Sequence, residues 1–267
     1  MTIDRRTQEE QSDDKGRERM TTSGAPVMRT SLISPLNVGG RAEEVVERIS
    51  RAILLGLVVD GEQLPTEVEF AGQLGVSPMT LREALAILRQ QGLVETRRGR
   101  NGGTFVRRPV NPPRDPLEER LRSTTVSKLR DLADEQFAVA GASAFFAAER
   151  ASAASVRKLL QLVEQLAVAE EYGDRIRADS RFHIEVAMAS QSERLTRLEV
   201  NLQAELTSLL WLPIEPRAVL EEAVADHHAI ATAIAEEDGE RARALSERHV
   251  QRNLRRLIEL HLVVAEQ

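Results

Sequence analysis

A mainly α-helical fold in two parts, an N-terminal winged helix-turn-helix with a small β-hairpin and a C-terminal all-α antiparallel helical bundle, is predicted by three features of the sequence. Residues 64–90 carry two helical apolar stripes on either side of Leu74-Gly75-Val76. A Gly- and Arg-rich stretch flanked by apolar residues follows at 93–106. From residue 117 onward glycine stands only at 141, 173 and 239 and proline only at 213 and 216. A span so poor in breakers and rich in Ala, Leu, Glu and Arg favours helix throughout.

Composition bounds the function. The 267 residues and 42% hydrophobic content suffice for two packed cores. Cysteine is absent, which excludes disulfides, thiolate metal ligands and cysteine nucleophiles, and suits a reducing compartment. Apolar runs such as 52–59 fall far short of the ~20 residues of a membrane-spanning helix. The N-terminus carries Asp4, Glu9, Glu10, Asp13 and Asp14 and no apolar export signal, so a cytoplasmic protein with no membrane partner is expected. The net charge of −6 argues against nucleic acid, but its distribution does not. Between Arg82 and Arg108 seven arginines face two acids, 7 − 2 = +5, whereas from Glu119 to the end 19 bases face 25 acids, 19 − 25 = −6. A local basic patch on an acidic chain points to a nucleic-acid module attached to something else.

Residues 1–34 are polar and without apolar period, and a disordered tail is predicted there, with Met20 and Met28 as alternative starts. A winged helix-turn-helix domain is predicted over 35–108. Its first helix is read from Ala42 to Val59, with Val46, Ile49, Ile53 and Leu57 as its stripe and Asp60-Gly61 as its end. Thr66 and Glu69 form a capping-box pair that starts the next helix. Ser77 and Pro78 supply the cap and first residue of the third. Leu81, Ala84, Leu85 and Leu88 form the core stripe of that helix, which leaves Met79, Arg82, Glu83, Ala86 and Gln90 outward, suited to a major groove. Residues 93–106 then read as two strands around a tip bearing Arg97, Arg98, Arg100, Asn101, Gly102 and Gly103. Glycines there allow close backbone approach to phosphates, and the arginines donate to them. Together with Thr66, Ser77, Met79, Thr80 and Arg82, these wing residues are the expected contacts to double-stranded DNA.

Pro109, Pro112, Pro113 and Pro116 predict a stiff extended linker over 109–118. The helical domain over 119–267 is read as helices near 125–150, 153–171, 174–190, 193–211, 217–237 and 239–262. All five histidines lie in it. Asp179 and His183 share a helix face; His227 falls on an apolar stripe with Leu220 and Ile234 while His228 turns away; His249 sits on the shoulder of Val250, Leu254 and Leu257 with Asn253 a turn later. One carboxylate and three neutral imidazoles suit zinc, nickel or another divalent ion such as manganese. A satisfied polar cluster is the alternative.

The head resembles the GntR family of bacterial regulators through Leu64-Pro65-Thr66-Glu67, Gln73-Leu74-Gly75-Val76-Ser77, Thr80-Leu81-Arg82-Glu83-Ala84-Leu85, Gly92-Leu93-Val94 and Gly103-Thr104-Phe105-Val106, over about residues 40–108. Val68 and Pro78 stand where that family usually has arginine, and Arg82 keeps the third such position. The remainder, over about 119–262, resembles the FCD effector domain of the FadR-like branch through Asp179-x-x-Phe182-His183, His227-x-x-Ile230 and His249. That resemblance implies a metal held by Asp179, His183, His227 and His249, a small-molecule effector, a homodimer on a pseudo-palindromic operator, and usually repression. Gln136 stands near where family members carry a carboxylate-binding arginine, so Gln136 and Asn253 are the expected effector-pocket residues, with a simple organic acid less favoured. Two rival readings are a metal-dependent hydrolase, for which no His-Glu-x-x-His or Gly-x-Ser-x-Gly run is present, and an architectural DNA binder whose bundle only dimerises.

Overall fold

The computed structural model of the chain describes residues 42–100, 102–212 and 217–266. The expected tail at 1–34, the alternative starts and Asn101 lie outside the described residues. The head comprises α1 (Ala42–Leu54), α2 (Glu67–Leu74), α3 (Pro78–Gln90) and an antiparallel hairpin of β1 (Val94–Arg97) and β2 (Gly103–Val106), with Val94 opposite Val106 and Arg97 opposite Gly103. Its core gathers Val45, Ile49, Ile53, Leu74, Leu81, Leu85 and Leu88, closed by Val94 and Val106 of the hairpin.

The bundle follows as α4 (Arg114–Ser123), α5 (Val126–Arg150), α6 (Ala153–Ala167), α7 (Tyr172–Ala189), α8 (Glu193–Leu210), α9 (Arg217–Ala235) and α10 (Gly239–Ala265). Thr125, Ser152, Ser192 and Asp238 accept from backbone N–H groups at four of the helix starts. α10 runs antiparallel along α5: Phe145 lies beside Gly239, Gly141 beside Glu247, and the α4 carbonyl of Leu121 meets His261. α7 packs against α5, α6 and α8, and on its other side meets the first head helix.

Two sequence expectations are corrected. The first helix stops at Leu54 rather than Val59. Gly56 takes the left-handed conformation (φ +67), and the N–H groups of Gly56 and Leu57 donate to Ile53 and Ala52, the paired bonds of a Schellman motif. Leu57, read as part of the helical stripe, instead joins Leu55 against Ile184, Met188, Val200 and Ala204 of the bundle. The linker is extended only as far as Pro113, because α4 begins at Arg114 with Pro116 in its first turn, where a missing N–H costs nothing. That linker is also pinned. The Asn111 carbonyl accepts from the Gly173 N–H at 2.9 Å, its amide donates to Glu171, and Tyr172 donates its hydroxyl to the Pro112 carbonyl. A smaller difference is that α6 ends at Ala167, four residues before the expected boundary.

Gly56→Ala places a Cβ in a left-handed turn, and a loss of about 1 kcal/mol is expected. Urea denaturation checks it, and an unchanged midpoint would show that the turn does not constrain α1.

Candidate functional site

The outward face of α3 is as the apolar period requires. Leu81, Ala84, Leu85 and Leu88 are buried, while Met79, Arg82, Glu83, Ala86 and Gln90 are exposed. Both expected caps are present: the Ser77 hydroxyl accepts from the Thr80 N–H at 3.1 Å, and Thr66 and Glu69 satisfy each other's backbone N–H groups. Thr66 and Ser77 thereby fix the helix starts that the sequence also proposed as DNA contacts. Arg82 is not bare, because its Nε donates to Glu67 of α2 at 2.7 Å. This cross-helix pair was not read from the sequence.

In the hairpin, Arg97 pairs with Glu95 at 2.7 Å and stacks 4.3 Å over Phe105, whereas Arg98 and Arg100 are exposed. Gly102 has a reason of its own within the protein: a Cβ there would lie 2.5 Å from the Arg97 carbonyl. The tight tip therefore requires glycine irrespective of any phosphate. The Gly102 carbonyl also accepts from Gln63.

The second constellation is buried in the bundle. Asp179 and His183 come from α7, His227 from α9 and His249 from α10, and one donor atom from each lies within 4.8 Å of the others. His249, only weakly inward by sequence, is 2% exposed; His228 is exposed as its 100° offset demands. Asp179 Oδ1 is 3.5 Å from His227 Nε2 and 4.0 Å from His183 Nε2. Phe182 stacks on the His227 ring at 4.1 Å and 9°, which fixes its plane. Burial pushes the Asp179 carboxyl up to about 6 despite the opposing charge of His249. Burial, with the neighbouring imidazoles, holds His183 and His227 well below the usual imidazole range. Neutral imidazoles are the form that binds a metal.

The donor set fits a cation. Asp179 Oδ2, His183 Nε2 and both ring nitrogens of His227 are buried without a hydrogen-bond partner. Leaving such atoms unpaired is costly, and a divalent ion could take one donor atom from each of these residues together. The Asp226 carboxylate meets His249 Nδ1 at 3.0 Å and is itself held by Arg252 at 2.7 Å. Its hydrogen bond and the nearby positive charges outweigh burial and lower its pKa. A carboxylate behind an imidazole orients the ring and directs its other nitrogen inward. That nitrogen, His249 Nε2, is 3.0 Å from the Asn253 amide.

Further polar side chains are buried in the bundle, of which Asn253 bonds to His249 and Glu199 acts on Asp179. Gln136 of α5 and Asn253 of α10 are 3% and 6% exposed. Glu199 of α8 accepts from Gln203 at 2.7 Å, while its other oxygen and the hydroxyls of Ser143 and Ser208 have no hydrogen-bond partner. Burial, with the Asp179 charge adding to it, raises Glu199 to about 7. In place of an arginine at Gln136, Arg256 of α10 brings positive charge near Asp179.

Comparison with known proteins agrees with both parts. Residues 41–106 match the family described as bacterial regulatory proteins, gntR family, and residues 131–252 match the FCD domain. The chain is 45% identical over 226 residues to the HTH-type transcriptional regulator RmpR of Mycobacterium gastri, covering 84% of this chain and 82% of that protein. It is 32% identical over 159 residues to the Glc operon transcriptional activator of Escherichia coli strain K12, covering 57% and 62%. The fold is similar to that of E. coli McbR/YncC, with a TM-score of 0.50 at 19% identity, covering 82% of this chain and 97% of that one. A head that matches GntR regulators, joined to an FCD domain and 45% identical through most of its length to such a regulator, makes the chain a member of the GntR family, FadR-like branch, a DNA-binding transcription regulator and not an enzyme.

Proposed function

We propose that the protein is a homodimeric, effector-responsive repressor whose two heads read a pseudo-palindromic operator. The observation that carries this reading is the solvent-facing polar side of α3, with Arg82 held by Glu67 next to the arginine-bearing hairpin. Arg82 is the principal base-reading side chain, assisted by Met79 and Thr80. Thr66 and Ser77 fix the helix starts, and Arg97, Arg98, Arg100, Asn101, Gly102 and Gly103 form the wing's contact to the backbone. Phosphate contacts position the head, while base contacts specify the sequence. Two-fold symmetry in the protein calls for two-fold symmetry in the operator.

Asp179, His183, His227 and His249 are proposed to hold one divalent metal ion, zinc fitting this donor set best, with nickel and manganese as alternatives. A bound cation would supply positive charge at the end of the polar interior. Asn253 and Gln136 are the proposed effector contacts, and the unpartnered groups of Glu199, Ser143 and Ser208 are further buried positions able to donate or accept a hydrogen bond. An effector shifts operator affinity only by as much as it prefers one arrangement of the dimer over the other.

Arg82→Ala is expected to lower affinity for the cognate operator by about 10- to 100-fold, the loss of one base-reading pair. Thermal stability should hardly change, because the Arg82–Glu67 pair is exposed and contributes less than about 1 kcal/mol. Gel-shift titration alongside thermal denaturation decides it, and undiminished affinity refutes the assignment. For the metal, elemental analysis of purified protein reconstituted with zinc should give one ion per chain, falling to none in His227→Ala; equal content in both would assign the metal elsewhere.

Glu199 provides a pH test. A carboxyl whose folded value is about 7, above its ordinary 4.5, binds a proton that the unfolded chain releases. Its contribution to stability is therefore present below 4.5 and is lost as pH rises through 7. Metal-free Glu199→Gln should melt above wild type at pH 8 and close to it at pH 4.5. A gap that widens toward acid would contradict the buried-proton assignment.

A further inference from the structure

The two faces of α7 carry different chemistry. Asp179 and His183 point into the bundle, and Arg177 and Arg181 lie about 160–200° around the helix from Asp179, on the opposite side. On that opposite side α7 offers Asp174, Arg177, Ala178 and Arg181, and α6 offers Lys158, Leu162 and Gln165, with Ala169 just past its end. Both sets follow the spacing of one helical stripe, so the two helices form the walls of a groove. Gly56 and Arg108 of the head close it, leaving a cleft of about 340 Å³.

Charge in this cleft is unbalanced. Arg108, Lys158, Arg177 and Arg181 line it against one acid, Asp174, so the lining carries 4 − 1 = +3 on a chain whose net charge is −6. Glu185, one turn beyond Arg181, is the other facing acid and acts on both Arg181 and Lys158. The arginines are partly used by the protein. Arg177 donates to the Val110 carbonyl at 3.3 Å, to the Pro109 carbonyl at 3.5 Å and to Asp174, and Arg181 donates to the Gly56 carbonyl at 2.7 Å. The Nε groups of both remain buried without an acceptor, although the Arg177 side chain is only 9% exposed. Burial and the proximity of Arg108 lower Arg177, a sign that these guanidinium groups lack full compensation. Buried donors of this kind call for an acceptor.

We infer that the cleft between α6, α7, the linker and the Gly56 turn is a binding site for a small, multiply charged oxyanion, phosphate- or carboxylate-bearing, separate from the Asp–His cluster. An anion bound there accepts from the free Nε groups and neutralises Arg108 and Lys158. Because Gly56 and Arg108 belong to the head, while Arg177, which holds the linker carbonyls of Pro109 and Val110, belongs with Arg181 to the bundle, it ties the three together.

The test uses full-length protein stripped with chelator, so that the Asp–His cluster offers no metal to the anion. Inorganic pyrophosphate and citrate are titrated separately by calorimetry, at ionic strength matched with sodium chloride. Saturable binding of at least one probe, weakened by at least about tenfold in Lys158→Gln/Arg181→Gln, is expected for the loss of two charge-assisted contacts. The preference between the probes tells phosphate from carboxylate. If that variant unfolds, Arg108→Gln/Lys158→Gln removes two charges without touching the bonds to the Gly56, Pro109 and Val110 carbonyls. Proteolysis within 109–113 should slow when the probe is bound. His227→Ala should bind the probe as wild type does, so failure of the metal assignment and failure of this one remain separate. Absence of saturable binding, or equal binding by wild type and the charge variants, overturns the proposal.

Discussion

Burying one carboxylate and three imidazoles at a single point constrains the rest of the bundle. Removing a carboxylate from water without compensation costs several kcal/mol, so the groups around Asp179 have to meet it with hydrogen bonds, a proton or positive charge. Here the four side chains come from α7, α9 and α10, which must therefore meet at one level along their lengths. Phe182 fixes the plane of His227 and Asp226 fixes that of His249, so the rings are oriented by the protein before any ion arrives. Apolar layers lie on both sides of this level. One gathers Leu129, Ile176, Leu206, Trp211 and Leu257, the other Leu159, Phe182, Val186 and Ile230. Those layers supply the stability that the polar level between them consumes.

The same constraint makes α7 the element on which the molecule turns. Its inward stripe holds two of the four proposed ligands, and its outward stripe holds the linker through Arg177 and the head through Arg181, Ile184 and Met188. Side chains on one rigid helix move together. A shift or rotation of α7 would therefore act together on the proposed ligand cluster and on the Gly56 turn, just past the end of the first head helix. The pinned linker leaves little slack to absorb it, since Asn111 and Pro112 are bonded to the start of α7.

Much of this was legible in the sequence where the determinants are local. The capping box at Thr66 and Glu69, the Ser77-Pro78 start and the Leu81–Leu88 stripe are set by residues within one or two turns of each other. The helical period likewise put His227 inward and His228 outward. What the sequence did not disclose depends on contacts between distant segments. Leu57 continues the apolar period of the first helix, and only its partners on α7 and α8 show that it belongs to another core. Asp226 lies off the apolar stripe of α9, and its importance comes from a ring on α10, 23 positions later. The pairing of Arg82 with Glu67 and the meeting of residues 56, 108, 158, 177 and 181 in one cleft are of the same kind. The short helix at Arg114–Ser123 was hidden for a different reason: prolines that break a helix interior are tolerated in its first turn.

Magnitudes decide which part of the molecule can respond to a ligand. Allosteric coupling between two sites typically amounts to about 1–3 kcal/mol. Neither core can change by so little, because a single fully buried leucine such as Leu81 or Leu166 contributes a comparable amount and each core holds many. The contact between head and bundle is of another order. It includes the Leu55 and Leu57 cluster, Leu54 against the bundle core and the Arg181 bond to the Gly56 carbonyl, the last contributing about 1.5–3 kcal/mol as a hydrogen bond from a charged group. This contact is far smaller than either core, so it is the part of the molecule that a coupling free energy of that size can perturb while the helices carrying the outward face of α3 and the Asp–His cluster stay packed. The head and bundle are thus two packed cores joined by a smaller contact centred on α7, the place at which the proposed effector site would be coupled to the proposed DNA-reading face.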